Sequence, residues 1–342
     1  MINFVTLFNK LNIKQENYKD LHVLRFFSSY IAVSNGKVIG ITDPHMEYCP
    51  LAGYLYKKVK LLKKYDIELI KEAIKKAVKE KISRFGFFTD KRKIIRKDIA
   101  IPCGASEMLM FAIRKRLIDA AVVVCDGAGT VIVDKSEIVQ GIGARMNGLF
   151  FTSPIYKVMR KLRNAGCHIV FNDANINQIK GVEAAVKLGY KKIAVTINAC
   201  MNEDIKMIKR IEREKDVSII SLIVCTTGIN KKKVKELKKY ADIVWSCASE
   251  EVRNLIGKES ILQISKAIPV FVLTQGGLNL VSGYSSKKQL LKGLDLKKQY
   301  LISGTNIGNN GKKIMMGNYE GYLSVSKLPV RSSREPRLIE RV

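Results

Sequence analysis

The chain has 342 residues, 47% of them apolar, enough for a sizeable core in one large or two modest domains. Sixty Lys and Arg against thirty-one Asp and Glu leave a formal net charge of +29, a field that attracts acidic partners. No long Pro-rich or Gly/Ser-rich tract argues for disorder, and no uncharged apolar run reaches the roughly 18 residues that span a bilayer. The opening Met1-Ile2-Asn3-Phe4-Val5 lacks a basic leader, so a soluble, cytoplasmic protein is expected. Lysines are spread over helical faces such as Lys57-Lys58-Val59-Lys60 and Lys231-Lys232-Lys233-Val234-Lys235. That spread, with no RNA-binding or zinc-finger signature, speaks against nucleic acid and for a solvated surface or an acidic protein partner.

Residues 30–34 and 37–42 flank Asn35-Gly36, whose tolerance of positive φ predicts a two-residue hairpin. Pro44 and Pro50 make the segment around Cys49 a loop, and Ile67, Ile70, Ile74 and Val78 place a helix over 66–83. Residues 1–97 thus read as a small α+β section, ending in a basic, linker-like stretch at 89–97. Ser106 is placed to cap a helix to about 117. Strand and helix signals then alternate. Strands are expected at 121–124, 130–133, 168–171, 192–197, 219–224, 242–245, 261–264 and 270–273. Helices are expected at 154–164, 176–188, 203–214, 231–239 and 250–256. This alternation predicts an α/β domain over 98–300 built on a doubly wound, mostly parallel sheet. Residues 301–342 read as a loop-rich extension with a frayed basic tail.

Seven cysteines, an odd number with no export signal, point to thiols or metal ligands rather than a disulfide framework. Two predicted strands run into Cys125 and Cys225, and a third stops one residue short of Cys247. Carboxyl ends of parallel strands line the ligand crevice of such sheets, so these thiols should share a rim, with the Cys49 loop able to fold over it. Four thiolates at Cys49, Cys125, Cys225 and Cys247 could hold zinc or an iron–sulfur cluster. No Cys-x-x-Cys pair marks a metal site, and reactive thiols without metal or plain packing are the other two readings. Cys167 and Cys200 read as packing. Cys103, just before a helix, could have its pKa lowered by the helix dipole.

Asp126-Gly127-Ala128-Gly129-Thr130 follows a strand and could admit a phosphate to its amides, although a Walker lysine and Gly-x-Gly-x-x-Gly spacing are missing. Thr226-Thr227-Gly228 could bind an anion or cap the next helix. Asp126, Gly127, Gly129, Thr226 and Gly228 are therefore the candidate cofactor-binding positions. Asp173 is a candidate base in a loop. Among the three histidines, His45, four residues before Cys49, is the one placed to act with a cysteine, the other reading being an exposed loop residue.

Tyr48-Cys49-Pro50-Leu51-Ala52, Cys125-Asp126-Gly127-Ala128-Gly129-Thr130-Val131, Val139-Gln140-Gly141-Ile142-Gly143 and Cys247-Ala248-Ser249 together resemble the methanogenesis marker protein 8 family over roughly residues 20 to 275. The resemblance implies an archaeal methanogen source and a cytoplasmic role tied to methanogenesis. It brings no catalytic residues with it. Joined to the strand-end cysteines, it suggests a metal- or cluster-binding auxiliary that helps mature or reductively activate methyl-coenzyme M reductase or a related enzyme. The alternatives are a non-catalytic basic adaptor docked on an acidic complex, and a small-molecule enzyme using the loop at 126–130.

Overall fold

The computed structural model describes residues 3–46, 49–50, 66–201, 203–306 and 309–339. Tyr48, Leu51, Ala52 and the lysine run at 57–60 lie outside the described residues. In chain order the strands are β1 (His22–Phe26), β2 (Ser29–Ser34), β3 (Lys37–Ile41), β4 (Ala120–Cys125), β5 (Gly129–Val133), β6 (Gly148–Thr152), β7 (His168–Ile169) and β8 (Lys192–Asn198). β9 (Ser218–Val224), β10 (Ile243–Trp245), β11 (Leu262–Ile264), β12 (Val270–Val272), β13 (Tyr300–Ser303), β14 (Lys312–Met316) and β15 (Tyr319–Val325) follow.

They form two sheets, a small one in the order β3-β2-β1-β6 and a large mixed one in the order β14-β15-β13-β11-β12-β10-β9-β8-β4-β5-β7. The centre of the large sheet, β4, β8, β9 and β10, is parallel as expected. The doubly wound expectation carries no further, because β5 and β7 extend it antiparallel on one side and β12 and β11 on the other. Loop length is the cause. Only 126–128 separate β4 from β5 and 265–269 separate β11 from β12, whereas a parallel return needs a crossover of about a dozen residues.

Side-chain alternation buries both faces of the large sheet. Ala121, Val123, Cys125, Ile220 and Leu222 pack with Met108, Leu109, Ile138, Val139, Val158 and Leu278 on one face. Val122, Ile193, Val195, Ile219 and Ile223 pack with Val182, Ile208, Ile211, Val234 and Leu237 on the other. The crossover helices Lys206–Lys215 and Lys231–Tyr240 thus lie together on one face, and a sheet covered on both sides carries nearly continuous apolar strands. The small sheet seats helix Ile67–Phe85 through Ile70, Ile74 and Val78, with Asp66 capping that helix through the Leu69 amide at 3.0 Å. Its hairpin turns at Asn35 (φ 49°) and Gly36 (φ 67°), as the dipeptide requires.

Several segments depart from the sequence reading. Gly104, not Ser106, is the N-cap of helix Ala105–Arg114, and residues expected as helix near 250–256 form a π-helical turn at Val252–Ile256. Helices Ser136–Gly143 and Gln275–Tyr284 were hidden by their glycines. Gly141 is needed for contact: a Cβ there would sit 2.0 Å from the Ile94 carbonyl oxygen. Residues 301–342 do not form only loops, since β14 and β15 complete one edge of the large sheet. The tail is pinned rather than frayed. Arg331 is paired with Glu250 and Glu335, and the Met46–Leu338 bridge holds its far end.

The stretch 89–97 is likewise no linker. Arg92 and Asp126 are fully buried and paired at 2.8 Å. Asp126 also accepts the Phe88 amide at 2.6 Å, and Arg92 donates to the Ile142 carbonyl at 2.9 Å while its guanidinium lies 3.7 Å from the Phe87 ring centre. Breaking a buried pair by removing one partner costs about 3–5 kcal/mol, because the other charge stays in low dielectric. Asp126→Asn should therefore lower unfolding free energy by that order in urea titration. A loss below about 1 kcal/mol, typical of a solvated pair, would remove the pair from its anchoring role.

Candidate functional site

A cavity of about 310 Å³ lies where β4, β8, β9 and β10 end, closed from the opposite side by β1 and β6 of the small sheet. Its wall is mostly apolar and includes Phe26, Val123, Val224, Trp245 and Ala248. This is the strand-end crevice expected of a parallel centre, and its size falls in the range of small-ligand sites. Cys49, Cys225 and Cys247 all line it.

Both strand-end thiols sit on left-handed backbone, Cys225 at φ 59° and Cys247 at φ 45°. Such φ is uncommon for a side chain lacking the local hydrogen bonding of Asn or Asp. Here it turns the chain sharply as β9 and β10 finish. Gly148 of β6 makes room for the first thiol, since a Cβ there would lie 2.5 Å from Cys225 Sγ. The turn after β9 is tied across to β10. The Thr226 hydroxyl donates to the Trp245 carbonyl at 2.7 Å, and Thr227 Oγ1 accepts the Ala248 amide at 3.1 Å. Thr226 therefore clamps two strand ends, while Asn230 caps the following helix through the Lys233 amide at 2.9 Å. Thr227 lines the cavity, and Gly228 (φ 80°) carries the turn beside Arg25.

Cys125 departs from the expected rim. It continues the alternation of Ala121 and Val123 into the core and is fully buried, its thiol 3.4 Å from the Asp126 carbonyl. Burial raises its pKa, with the neighbouring Asp126 adding to the effect. Asp126, Gly127 and Gly129 build the β4–β5 hairpin rather than the strand-to-helix junction of a phosphate cradle. The Gly127 amide donates to Thr152 Oγ1 at 2.8 Å, and the Thr130 amide to the Asn175 carbonyl at 3.0 Å. Among the described residues no three His, Cys, Asp or Glu side chains are gathered to hold a metal ion.

Four further residues lie outside the cavity wall. His22 is buried between Thr152 and Asp20, at 2.6 and 2.7 Å, and exposed His45 is not in the cavity wall. Asp173 accepts the Asn175 amide in an exposed turn. Cys103 is buried with its thiol pushed up to about 12 by desolvation and by Glu107. At that position burial outweighs the helix dipole.

Sequence reading missed Arg25 and Cys200. Arg25 Nη1 donates to the Thr227 carbonyl at 2.8 Å and to Cys200 Sγ at 3.1 Å. The Cys200 thiol in turn donates to the Cys225 carbonyl at 3.0 Å. Burial raises the Cys200 pKa against the pull of Arg25. Burial likewise raises Cys225, with Cys247 and Cys200 adding to it. Cys200 follows the end of β8 by two residues, so the strand-end rule applied to the other thiols would have found it. Arg25 left no such signal, because its place depends on how the two sheets dock.

Beneath the wall, Lys81 is fully buried. It donates to Oδ1 of cavity-lining Asn147 and lies 5.4 Å from the Phe87 ring centre. Desolvation depresses its pKa to about 7, only partly opposed by Asp126.

Two measurements follow from these environments. In native protein treated with iodoacetamide, half-buried Cys49 and Cys247 should label first, while buried Cys103, Cys125 and Cys167 stay unmodified. Labelling of Cys125 as fast as Cys247 would show that the end of β4 opens to solvent. For Lys81, the folded pKa lies below the unfolded value of about 10.4. Between about 7 and that value the unfolded chain keeps a proton that the folded chain has released, so this group makes stability rise with pH. Stability of wild type relative to Lys81→Met should then climb from pH 7 to 8.5, by up to about 1.4 kcal/mol per pH unit. A flat difference in denaturant midpoints would mean that Lys81 is not desolvated.

With this geometry in place, comparison with known proteins gives two matches. "Uncharacterized protein MJ0054" of Methanocaldococcus jannaschii is 38% identical over 265 residues, covering 77% of this chain and 89% of that protein. A family model matches residues 22–284, from the start of β1 to the end of helix Gln275–Tyr284, and spans all seven cysteines. The chain thus belongs to the family described as "Uncharacterized protein conserved in archaea (DUF2099)".

Proposed function

We propose that this protein binds a small organic molecule with a mostly apolar body in the strand-end cavity, beside the thiols of Cys225 and Cys247. The observation that carries this reading is the cavity itself: about 310 Å³, at the carboxyl ends of four parallel strands, with three thiols in its wall. Pre-formed apolar pockets with a few fixed polar groups are the usual form of small-ligand sites. An organic ligand fits the lining better than zinc or an iron–sulfur cluster on Cys49, Cys125, Cys225 and Cys247, because the core holds Cys125.

The proposed setting is methanogenesis. Its support is the likeness of the Cys49, Cys125 and Cys247 motifs to methanogenesis marker protein 8, together with the relative from Methanocaldococcus jannaschii. On this reading the bound molecule is delivered to, or held ready for, methyl-coenzyme M reductase or a related enzyme.

Binding is tested with N-phenyl-naphthylamine, an uncharged probe that fluoresces in apolar sites. Wild type should enhance its emission saturably, whereas Ala248→Phe and, independently, Val224→Phe should abolish the effect by filling the cavity. Undiminished enhancement in both folded variants would place the probe elsewhere and remove the support for a ligand at the strand ends.

A further inference from the structure

The cavity wall has an electrostatic bias that its apolar character conceals. Among the described residues, three charged side chains line it: Arg25, Arg145 and Glu107. Glu107 is committed inward. Its Oε1 accepts the Ala100 and Ile101 amides and the Gln140 side-chain amide at 3.1, 3.2 and 3.0 Å, and its Oε2 accepts the Ser106 hydroxyl at 2.9 Å. Those donors hold the carboxylate in the structure of the Ala105–Arg114 helix start, leaving little of its charge for the cavity.

Arg25 is arranged in the opposite way. Nη1 is fixed by the Thr227 carbonyl and Cys200 Sγ, and the guanidinium carbon lies 5.4 Å from the Tyr30 ring centre. Its Nε is buried with no hydrogen-bond partner, and no carboxylate pairs with the guanidinium among the described residues. A guanidinium held half-buried with no carboxylate beside it is costly unless an anion approaches its open side. Being planar and always charged, it matches carboxylate, phosphate or sulfonate oxygens.

We propose that the ligand of this cavity is an amphiphilic organic anion, its apolar body against Phe26, Val224 and Trp245 and its anionic head on Arg25. The proposal rests on the cavity-binding reading above and adds the charge class of the ligand and the residue that selects it. Arg145, the second cation of the lining, reinforces the field without being the contact argued for. The fixed Nη1 leaves the guanidinium little freedom to turn away, so ordering costs are small when the anion arrives.

The test pairs anilinonaphthalene sulfonate with N-phenyl-naphthylamine, two probes that differ by one sulfonate. Titrations at about 0.15 M salt screen the basic surface beyond about 8 Å, and Ala248→Phe subtracts any sulfonate probe bound outside the cavity. Wild type should bind the anionic probe about tenfold or more tightly than the neutral one, the amount expected of a charge-assisted hydrogen bond. Arg25→Gln should bring the two affinities together, and Arg25→Lys should restore most of the difference. Arg25→Met is the second variant if the glutamine form fails to fold. Equal affinity for both probes, or a preference that survives loss of the Arg25 charge, overturns the anion assignment and leaves the cavity reading standing. Absence of cavity binding by either probe overturns both.

Discussion

The buried ion pair between Arg92 and Asp126 joins the segment leaving the small-sheet helix to the end of the central strand β4. The same segment is tied further by Lys161, which donates to the Asp90 and Arg92 carbonyls, and by the Arg96 amide on the Glu137 carbonyl. The pair is satisfied on every side: an amide and a guanidinium on Asp126, two carbonyls and an aromatic face on Arg92. Such complete satisfaction is what makes buried charge tolerable in low dielectric. The neighbouring Lys81 has its ammonium form disfavoured chiefly by burial, with Asp126 opposing and Arg92 adding to the effect.

The cavity is a consequence of that docking. A parallel centre always leaves a crevice at its strand ends, and here β1 and β6 close it from above while Pro336 of the pinned tail contributes to the wall. Arg253 links this tail to the strand end: it donates to the Cys247 and Pro336 carbonyls and is 3.5 Å from Glu335. Cavity shape near Cys247 therefore depends on residues beyond the segment matched by the family model.

Charge is distributed unevenly between surface and interior. The net +29 resides largely on exposed lysines of helices such as Lys206–Lys215 and Lys231–Tyr240, where solvent and salt screen it. Inside, a few basic groups matter far more because they are desolvated: Arg92 for the fold, Lys81 for its pH response and Arg25 for the cavity. Long-range attraction of an anion to the protein and its selection at Arg25 are thus separate effects with different salt dependence.

Local chemistry was legible wherever neighbours in sequence decide conformation. Asn35-Gly36 dictated its hairpin, Asp66 and the Ile70/Ile74/Val78 stripe dictated the helix, and the apolar runs at 121–124, 192–197, 219–224 and 242–245 marked the parallel centre. The same runs pointed to a strand-end crevice, and Cys225 and Cys247 lie in its wall. What sequence could not decide was anything set by alternation across a docked layer. Cys125 and Cys225 both end strands, yet β4 turns its last side chain into the core while β9 breaks into left-handed backbone and presents its thiol to the cavity. Glycine-bearing helices stayed hidden because their glycines serve contacts with distant backbone. Arg25 became a site residue only when β1 was laid against the ends of β8 and β9. Local propensity is written in adjacent residues, but the facing of a side chain toward core or cavity is a property of the packed layers.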